Sequence, residues 1–263
     1  MGLGYLESNV LMRCKMKILK IPYSAGCLGK NIGTEKAPDA ILAELNNLFA
    51  NESKRSRFVE AENVEVDNSN VSISQEKIRK AVKEGIVLGG DHSITYSAFR
   101  GSGCDGLLSL DAHADCMEGT DAVTHEDFVR KLADEGAKVI LAGIRDLHKQ
   151  ELDFIQEKKI LHFTMKDIFE LGVKEFCDAV MENCRQFKSL YLSIDIDVAD
   201  PAFAPGTGYP VAGGLTSREL IYLVQRLKLL KNLKVVDIVE VNPKKDRDNL
   251  TVKLAAKIVN ELF

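Results

Sequence analysis

Asp111, His113 and Asp115 recur at every second residue in the segment Ser109-Leu110-Asp111-Ala112-His113-Ala114-Asp115. In an extended chain, side chains at i, i+2 and i+4 leave the same face. Two carboxylates and an imidazole crowded there repel or stay poorly paired unless a cation sits between them. The apolar pair Leu107-Leu108 precedes the segment, so it reads as the end of a buried strand with metal ligands beyond it. Exposed strands also alternate polar residues, and taken alone the stretch fits either reading. Three further apolar runs end in the same way. Ile86-Val87-Leu88 leads into Gly89-Gly90-Asp91-His92-Ser93, the run 190–194 into Asp195-Ile196-Asp197, and the run 235–239 into Glu240-Val241-Asn242-Pro243.

The elements that must position these residues keep a regular rhythm. Strands are expected at 17–22, 63–66, 86–88, 107–110, 139–141, 160–163, 190–194 and 235–239. A helix opens at Lys36-Ala37-Pro38-Asp39, with Ile41, Leu42, Leu45 and Leu48 at helical spacing and Pro38 suited to its first turn. Others are expected from an N-cap at Ser74 to about Glu84, and at 93–99, 126–134, 149–158, 174–187, 217–230 and 250–262. Strands alternating with helices predict an α/β protein, a three-layer α/β/α sandwich around a parallel sheet of about eight strands. An eight-stranded barrel is the rival. The long loop 199–214 and the irregular N-terminal half favour the open sheet. Open α/β sheets bind ligands beyond the carboxyl ends of their strands, which gathers His92, Asp111, His113, Asp115, Asp195, Asp197 and Glu240 on one rim. Four aspartates and two histidines balance two divalent cations in charge, and an oxygen-rich set with some imidazole suits Mn²⁺. A structural zinc site would draw mainly on cysteine.

Composition sets outer bounds. The chain has 263 residues, 45% hydrophobic and 28% charged, as expected of one globular domain. A net charge of -4 argues against a nucleic-acid partner. No apolar run is long enough to span a membrane. The N-terminus lacks the pattern of a signal peptide. Cys14, Cys27, Cys104, Cys116, Cys177 and Cys184 are scattered, with no Cys-x-x-Cys, as in a reduced cytoplasmic protein. The loop 24–34 holds Gly26, Gly29 and Gly33 but neither the P-loop spacing nor Gly-x-Gly-x-x-Gly. Residues 1–15 read as a disordered or added extension and 16–263 as one catalytic domain.

At three of these segments a resemblance becomes specific. Gly89-Gly90-Asp91-His92-Ser93, Ser109 to Asp115, and Ser193-Ile194-Asp195-Ile196-Asp197-Val198-Ala199-Asp200-Pro201 resemble the signature motifs of the ureohydrolases, the arginase, agmatinase and formiminoglutamase family. Ala204-Pro205-Gly206-Thr207-Gly208 and Gly213-Gly214-Leu215 continue the match, from about Ile18 to the C-terminus. The resemblance implies a binuclear manganese site and hydrolysis of a guanidino compound to urea and an amine. It assigns one ion to His92, Asp111, Asp115 and Asp195 and the other to His113, Asp111, Asp195 and Asp197, with Asp111 and Asp195 bridging. A water shared by two cations loses a proton far more easily than free water, and Asp115 would aim it. Glu240 would clamp the planar guanidinium through two hydrogen bonds. His125, ten residues after Asp115, would protonate the departing amine, although Glu126 comes next where many relatives have Gly. His148 and His162 have no motif support and read as surface or helix-end residues. The resemblance further implies a small guanidino substrate and a homo-oligomer, trimer or hexamer.

Arginases usually carry an Asn where this chain has Met117, and an Asp where it has His148. Both would hold the amino-acid head of arginine. Their loss favours agmatine, hydrolysed to putrescine, with arginase or another guanidino- or formimino-compound hydrolase as the alternative. Tyr209 is expected to narrow the pocket for the substrate tail. The start Ile21-Pro22-Tyr23-Ser24-Ala25-Gly26 leans the other way, toward arginase. A metal-dependent deacylase with a single zinc ion, or a regulatory subunit with decayed catalysis, stays open on sequence alone. Metal counting separates the first, and the intact ligand set weighs against the second.

Overall fold

The computed structural model describes residues 14–54 and 57–263. One open sheet contains β1 (Cys14–Lys20), β2 (Arg57–Asn63), β3 (Gly85–Leu88), β4 (Gly106–Leu110), β5 (Lys138–Ile144), β6 (Leu161–Thr164), β7 (Leu190–Asp195) and β8 (Leu233–Val239). The strands pair in parallel throughout, in the order β2-β1-β3-β8-β7-β4-β5-β6. The sheet ends at β2 and β6 and does not close, which rules out the barrel.

Alternation along the strands feeds two cores. Leu108 and Leu110 of β4 and Leu190, Leu192 and Ile194 of β7 face one side. Helices α1 (Ala37–Asn47), α6 (Met165–Leu171), α7 (Val173–Cys184), α8 (Ser217–Leu227) and α9 (Leu250–Leu262) pack there through residues such as Ile41, Ile168, Phe176, Leu220 and Ile258. Leu107 and Tyr191 face the other side. They meet α2 (Val71–Ala81), α3 (Ile94–Ser102), α4 (Phe128–Asp134) and α5 (Lys149–Lys158) through Ile78, Ala98, Phe128 and Phe154. A strand buried on both faces reads as a continuous apolar run, which is why β3, β4, β7 and β8 stand out in the sequence. No helix among the described residues is long and apolar enough to cross a membrane.

Several expectations need correction. β1 starts at Cys14, inside the segment set apart as an extension, while residues 1–13 lie outside the described residues. The second strand is Arg57–Asn63, ending where 63–66 was expected to begin. It is an edge strand in which Glu60, Ala61, Glu62 and Asn63 are exposed, so no apolar pattern marks it. Asn70, not Ser74, caps α2: its side chain accepts from the Ile73 N–H at 3.1 Å, while the buried Ser74 hydroxyl donates to Asp67 O. The helix expected over 174–187 is α7, and an unexpected helix, α6, precedes it across Gly172 at φ 80°. A Thr164–Asp167 capping box starts α6.

Candidate metal centre

Strands β3, β8, β7 and β4 are neighbours in the centre of the sheet, and all four carry site residues just beyond their carboxyl ends. The segment after β4 does not stay extended, as the alternation suggested. The Asp111 and Asp115 side chains still converge, because Asp115 adopts φ 52°, a left-handed conformation that turns the chain. Glu240 does the same at φ 62°. Such backbone strain costs roughly 1–3 kcal/mol per residue and persists where the surroundings impose it. The backbone also fixes the carboxylates. His113 N–H donates to Asp111 Oδ1 at 2.7 Å, Ala112 N–H to Asp197 Oδ1 at 3.1 Å, and Asp197 N–H to Asp195 Oδ1 at 2.8 Å.

His92 Nδ1 shows what these groups converge on. It lies 3.1 Å from Asp111 Oδ2 and 3.2 Å from Asp115 Oδ2 and from Asp195 Oδ2, yet makes a well-formed hydrogen bond to none of them. On the far side of the ring, Nε2 is 2.8 Å from Ser193 Oγ, which donates to Asp237 Oδ1 at 2.6 Å. Ser193 directs its proton to Asp237, so it accepts one from His92 Nε2. A neutral His92 therefore points the Nδ1 lone pair at three carboxylate oxygens, and a protonated one has a single proton for three acceptors. A cation removes the conflict, so these residues fit a metal ion. A second convergence joins His113 Nδ1 to Asp197 Oδ2 at 3.0 Å and to Asp111 Oδ1 at 3.5 Å. His92, Asp111 and Asp195 thus form one candidate ligand group, and Asp111, His113 and Asp197 the other, with Asp111 in both. Asp115 stands beside the first group.

The charges record the same crowding. Burial pushes Asp115 upward, the Asp111 charge adds to it, and its pKa reaches about 7. Burial and the charges of Asp197 and Asp111 raise Asp195 well above the carboxylate range. For His113 burial favours the neutral ring, but Asp111 and Asp197 outweigh it and raise its pKa to about 12. Behind the site, Asp237 is fully buried and accepts from Thr95, Tyr191 and Ser193. This relay sets the tautomer of His92. Groups that orient a metal-binding histidine are typically worth about 10- to 100-fold in metal affinity. Ser193→Ala is therefore expected to weaken binding at the first position about 10- to 100-fold in a metal titration. Unchanged affinity would remove the relay from the metal's support.

A cavity of about 260 Å³ opens over these ligands, lined also by Lys30, Met117, His125, Glu126, Asp146, His148, Tyr209 and Glu240. His125 is buried and held from two sides. Its Nδ1 lies 2.9 Å from Gly26 O, and its ring stacks on Tyr209 at 5.4 Å between centroids. Gly26 is fixed in turn by its N–H donating to Asp91 Oδ2 at 2.7 Å, and a Cβ there would collide with the Ser93 side chain. His125 Nε2 makes no hydrogen bond among the described residues and lies 3.5 Å from Glu126 Oε1. Glu240 Oε1 accepts from the His92 N–H at 2.7 Å. Burial raises the Glu240 pKa, and a hydrogen bond from Asn31 partly offsets the rise.

All eight residues singled out as catalytic or metal-binding lie at this one place. The two histidines without motif support part company. His148 sits at the start of α5 and is also part of the cavity wall, whereas His162 lies on β6 and does not reach it. Lys30, Asn31 and Asp146 belong to the site although no motif singles them out. Their only signals are positional: Asp146 ends the Gly-Ile-Arg-Asp segment after β5, and Lys30 and Asn31 lie in the Gly-rich loop. Cys27, Cys104, Cys116, Cys177 and Cys184 are free and buried, and none lines the cavity.

The family model described as Arginase family matches residues 14–263. An arginase of Staphylococcus aureus (strain MRSA252) is 35% identical over 201 residues, 68% of this chain and 67% of the relative. The non-hepatic arginase 1 of Xenopus laevis is 30% identical over 294 residues, covering 94% of this chain and 81% of its own. Among solved structures, the proclavaminate amidino hydrolase of Streptomyces clavuligerus aligns with a TM-score of 0.84 at 29% identity, over 96% of this chain and 91% of its own.

Proposed function

The chain belongs to the arginase family, whose members are metal-dependent hydrolases of guanidino compounds, and from that premise we propose that its substrate is a guanidino amine, agmatine, rather than arginine. The observation that carries this reading is the cavity wall. Met117 and His148 line it where arginases have the residues that hold an amino-acid head. A thioether cannot donate a hydrogen bond to an α-carboxylate. The carboxylates of Glu126 and Asp146 also line the cavity, and either can pair with the ammonium at the far end of agmatine.

We assign two ions to the site, one to His92, Asp111, Asp115 and Asp195 and one to His113, Asp111, Asp195 and Asp197, with Mn²⁺ favoured by the oxygen-rich donor set. Bound there, two divalent cations supply a water of lowered pKa as nucleophile and charge stabilisation for the transition state. The chain does the rest. Glu240 accepts the guanidinium in a paired, charge-assisted hydrogen bond and so fixes the carbon to be attacked. Asp115 accepts a hydrogen bond from the attacking water and aims it. As oxygen adds to the guanidinium carbon, the bond from that carbon to the alkyl nitrogen breaks, and the protons the water gives up end on the departing amine, passed there by Nε2 of the His125 ring that lines the cavity. Urea and the amine result.

Urea release from the Mn²⁺-loaded protein, measured in parallel on agmatine, arginine and 4-guanidinobutyrate, tests the reading. Agmatine is expected to exceed arginine at least about tenfold in kcat/KM, a difference of about 1.4 kcal/mol in transition-state binding. A higher value for arginine would overturn the substrate and leave the metal chemistry standing. One observation favours a second reading. The Lys30 ammonium also lines the cavity, 3.7 Å from Glu126, and would suit a guanidino acid. The 4-guanidinobutyrate arm decides that point.

A further inference from the structure

We propose that Asn31 is a positioning residue that sets the Glu240 carboxylate to receive the guanidinium; the inference rests on the reading of this site as a guanidino-compound hydrolase. Asn31 belongs to the Gly-rich loop, for which no nucleotide-binding pattern supplies a role. Its side chain is wholly buried. Nδ2 donates to Glu240 Oε2 at 2.5 Å, and Oδ1 accepts from Asn242 Nδ2 at 2.6 Å. Asn242 is equally buried and is itself fixed: its backbone N–H donates to Gly206 O at 2.7 Å, and its Oδ1 accepts from the Lys244 N–H at 3.0 Å. A line of amides thus runs from the loops around the site through Asn31 to one oxygen of Glu240. The other oxygen is held by the His92 N–H.

This arrangement satisfies Glu240 only in part. Among the described residues no lysine or arginine forms an ion pair with it, so a buried anion is held by two neutral donors, one on each oxygen. Each carboxylate oxygen offers two acceptor positions. One on each oxygen therefore remains, and a guanidinium binds a carboxylate through two parallel N–H donors. The donor on Oε2 stops the carboxylate from rotating about its last side-chain bond, which would swing the free acceptor positions away from the cavity. Asn31 could instead serve only as packing. Gly208 lies so close that a Cβ on it would come within 2.7 Å of Asn31 Cγ, and Tyr209 is the next residue. A packing residue would act through that loop and independently of Glu240.

A double-mutant cycle on the full-length, Mn²⁺-loaded protein separates the two roles, with Asn31→Ala, Glu240→Gln and the double variant. Hydrogen bonds to charged groups are among the stronger ones in a folded chain. Asn31→Ala is therefore expected to lower kcat/KM about 10- to 100-fold with bound Mn²⁺ unchanged. In the Glu240→Gln background the same substitution is expected to cost less than about threefold, since interacting groups are non-additive. Equal losses in both backgrounds would overturn the proposal. Asn31→Asp keeps the volume while removing the donor, and is expected to lose at least as much; loss of Mn²⁺ from it would place Asn31 with the metal ligands and overturn the proposal too. Calorimetric binding of guanidinium chloride at millimolar concentration gives a readout without turnover, and Asn31→Ala is expected to weaken it by a similar factor. A wild type that binds guanidinium but releases urea from no guanidino compound sinks the hydrolase reading alone. A wild type that turns over substrate while the cycle is additive sinks the Asn31 proposal alone.

Discussion

Asp111→Ala is expected to release metal from both positions and to lower kcat by about 10³-fold or more. Asp111 is the residue shared by the two ligand groups, with Oδ2 beside His92 and Oδ1 beside His113. Removing it takes a negative charge from each position and leaves His92 and His113 facing the remaining carboxylates without their common partner. Metal ions contribute several kcal/mol of transition-state stabilisation in reactions of this type, and each step of about 1.36 kcal/mol is tenfold in rate. Asp197→Ala is the comparison, because Asp197 belongs to one group only. Elemental analysis after desalting should show Asp111→Ala near zero and Asp197→Ala with metal retained. Two equivalents of metal bound to Asp111→Ala, or a saturating stoichiometry of one ion in the wild type, would sink the binuclear site.

His125→Asn is expected to lower kcat by about 10²–10⁴-fold, the usual range for losing a general acid–base group, with metal content unaltered. The hydrogen bond to Gly26 O places the proton on Nδ1 in the neutral ring and leaves Nε2 as the working nitrogen. Tyr209 limits how far the ring can tilt. Small exogenous imidazole should restore part of the rate to His125→Ala, because the space left is already framed by Gly26 and Tyr209. A rate in His125→Ala equal to that of the wild type would remove the proton-transfer role. The neighbouring Glu126, 3.5 Å from Nε2, would then be the first residue to test in its place.

The site residues were legible because the residue types that bind metal are few and the strands leading to them are apolar on both faces. Ile86 to Leu88 and Leu107 to Leu110 could hardly be anything but buried strands, and they run into His92 and Asp111 within a few residues. The edge of the sheet gave no such signal. In β2, Glu60 and Glu62 face solvent, and an exposed strand is written in the same residues as a loop. The Asp111–Asp115 alternation pointed to side chains that do converge, but through the wrong geometry, since Asp115 arrives by a left-handed turn that spacing does not encode. Asn31 and Lys30 were invisible for another reason. Asn31 acquires its role only when Glu240, 209 residues later, is brought beside it. His148, which without motif support reads as a surface or helix-end residue, does start a helix and also lines the cavity.

The three segments that hold the candidate metal ligands begin at His92, Asp111 and Asp195, far apart in the chain but gathered by four neighbouring strands at the centre of the sheet. An ion held by all three is a reversible cross-link, closing long loops as a disulfide would, in a protein whose buried cysteines from Cys27 to Cys184 are free. The unfolded chain presents no such cluster, so binding free energy becomes folding free energy. At a free metal concentration about a hundred times the dissociation constant, one such site adds about 2.7 kcal/mol. In a chain of this size that shifts the melting temperature by roughly 5–10 °C. Melting curves in graded Mn²⁺, from a chelator baseline upward, should therefore climb with the logarithm of free metal. The metal supply would set how many molecules stay folded as well as how fast each one works.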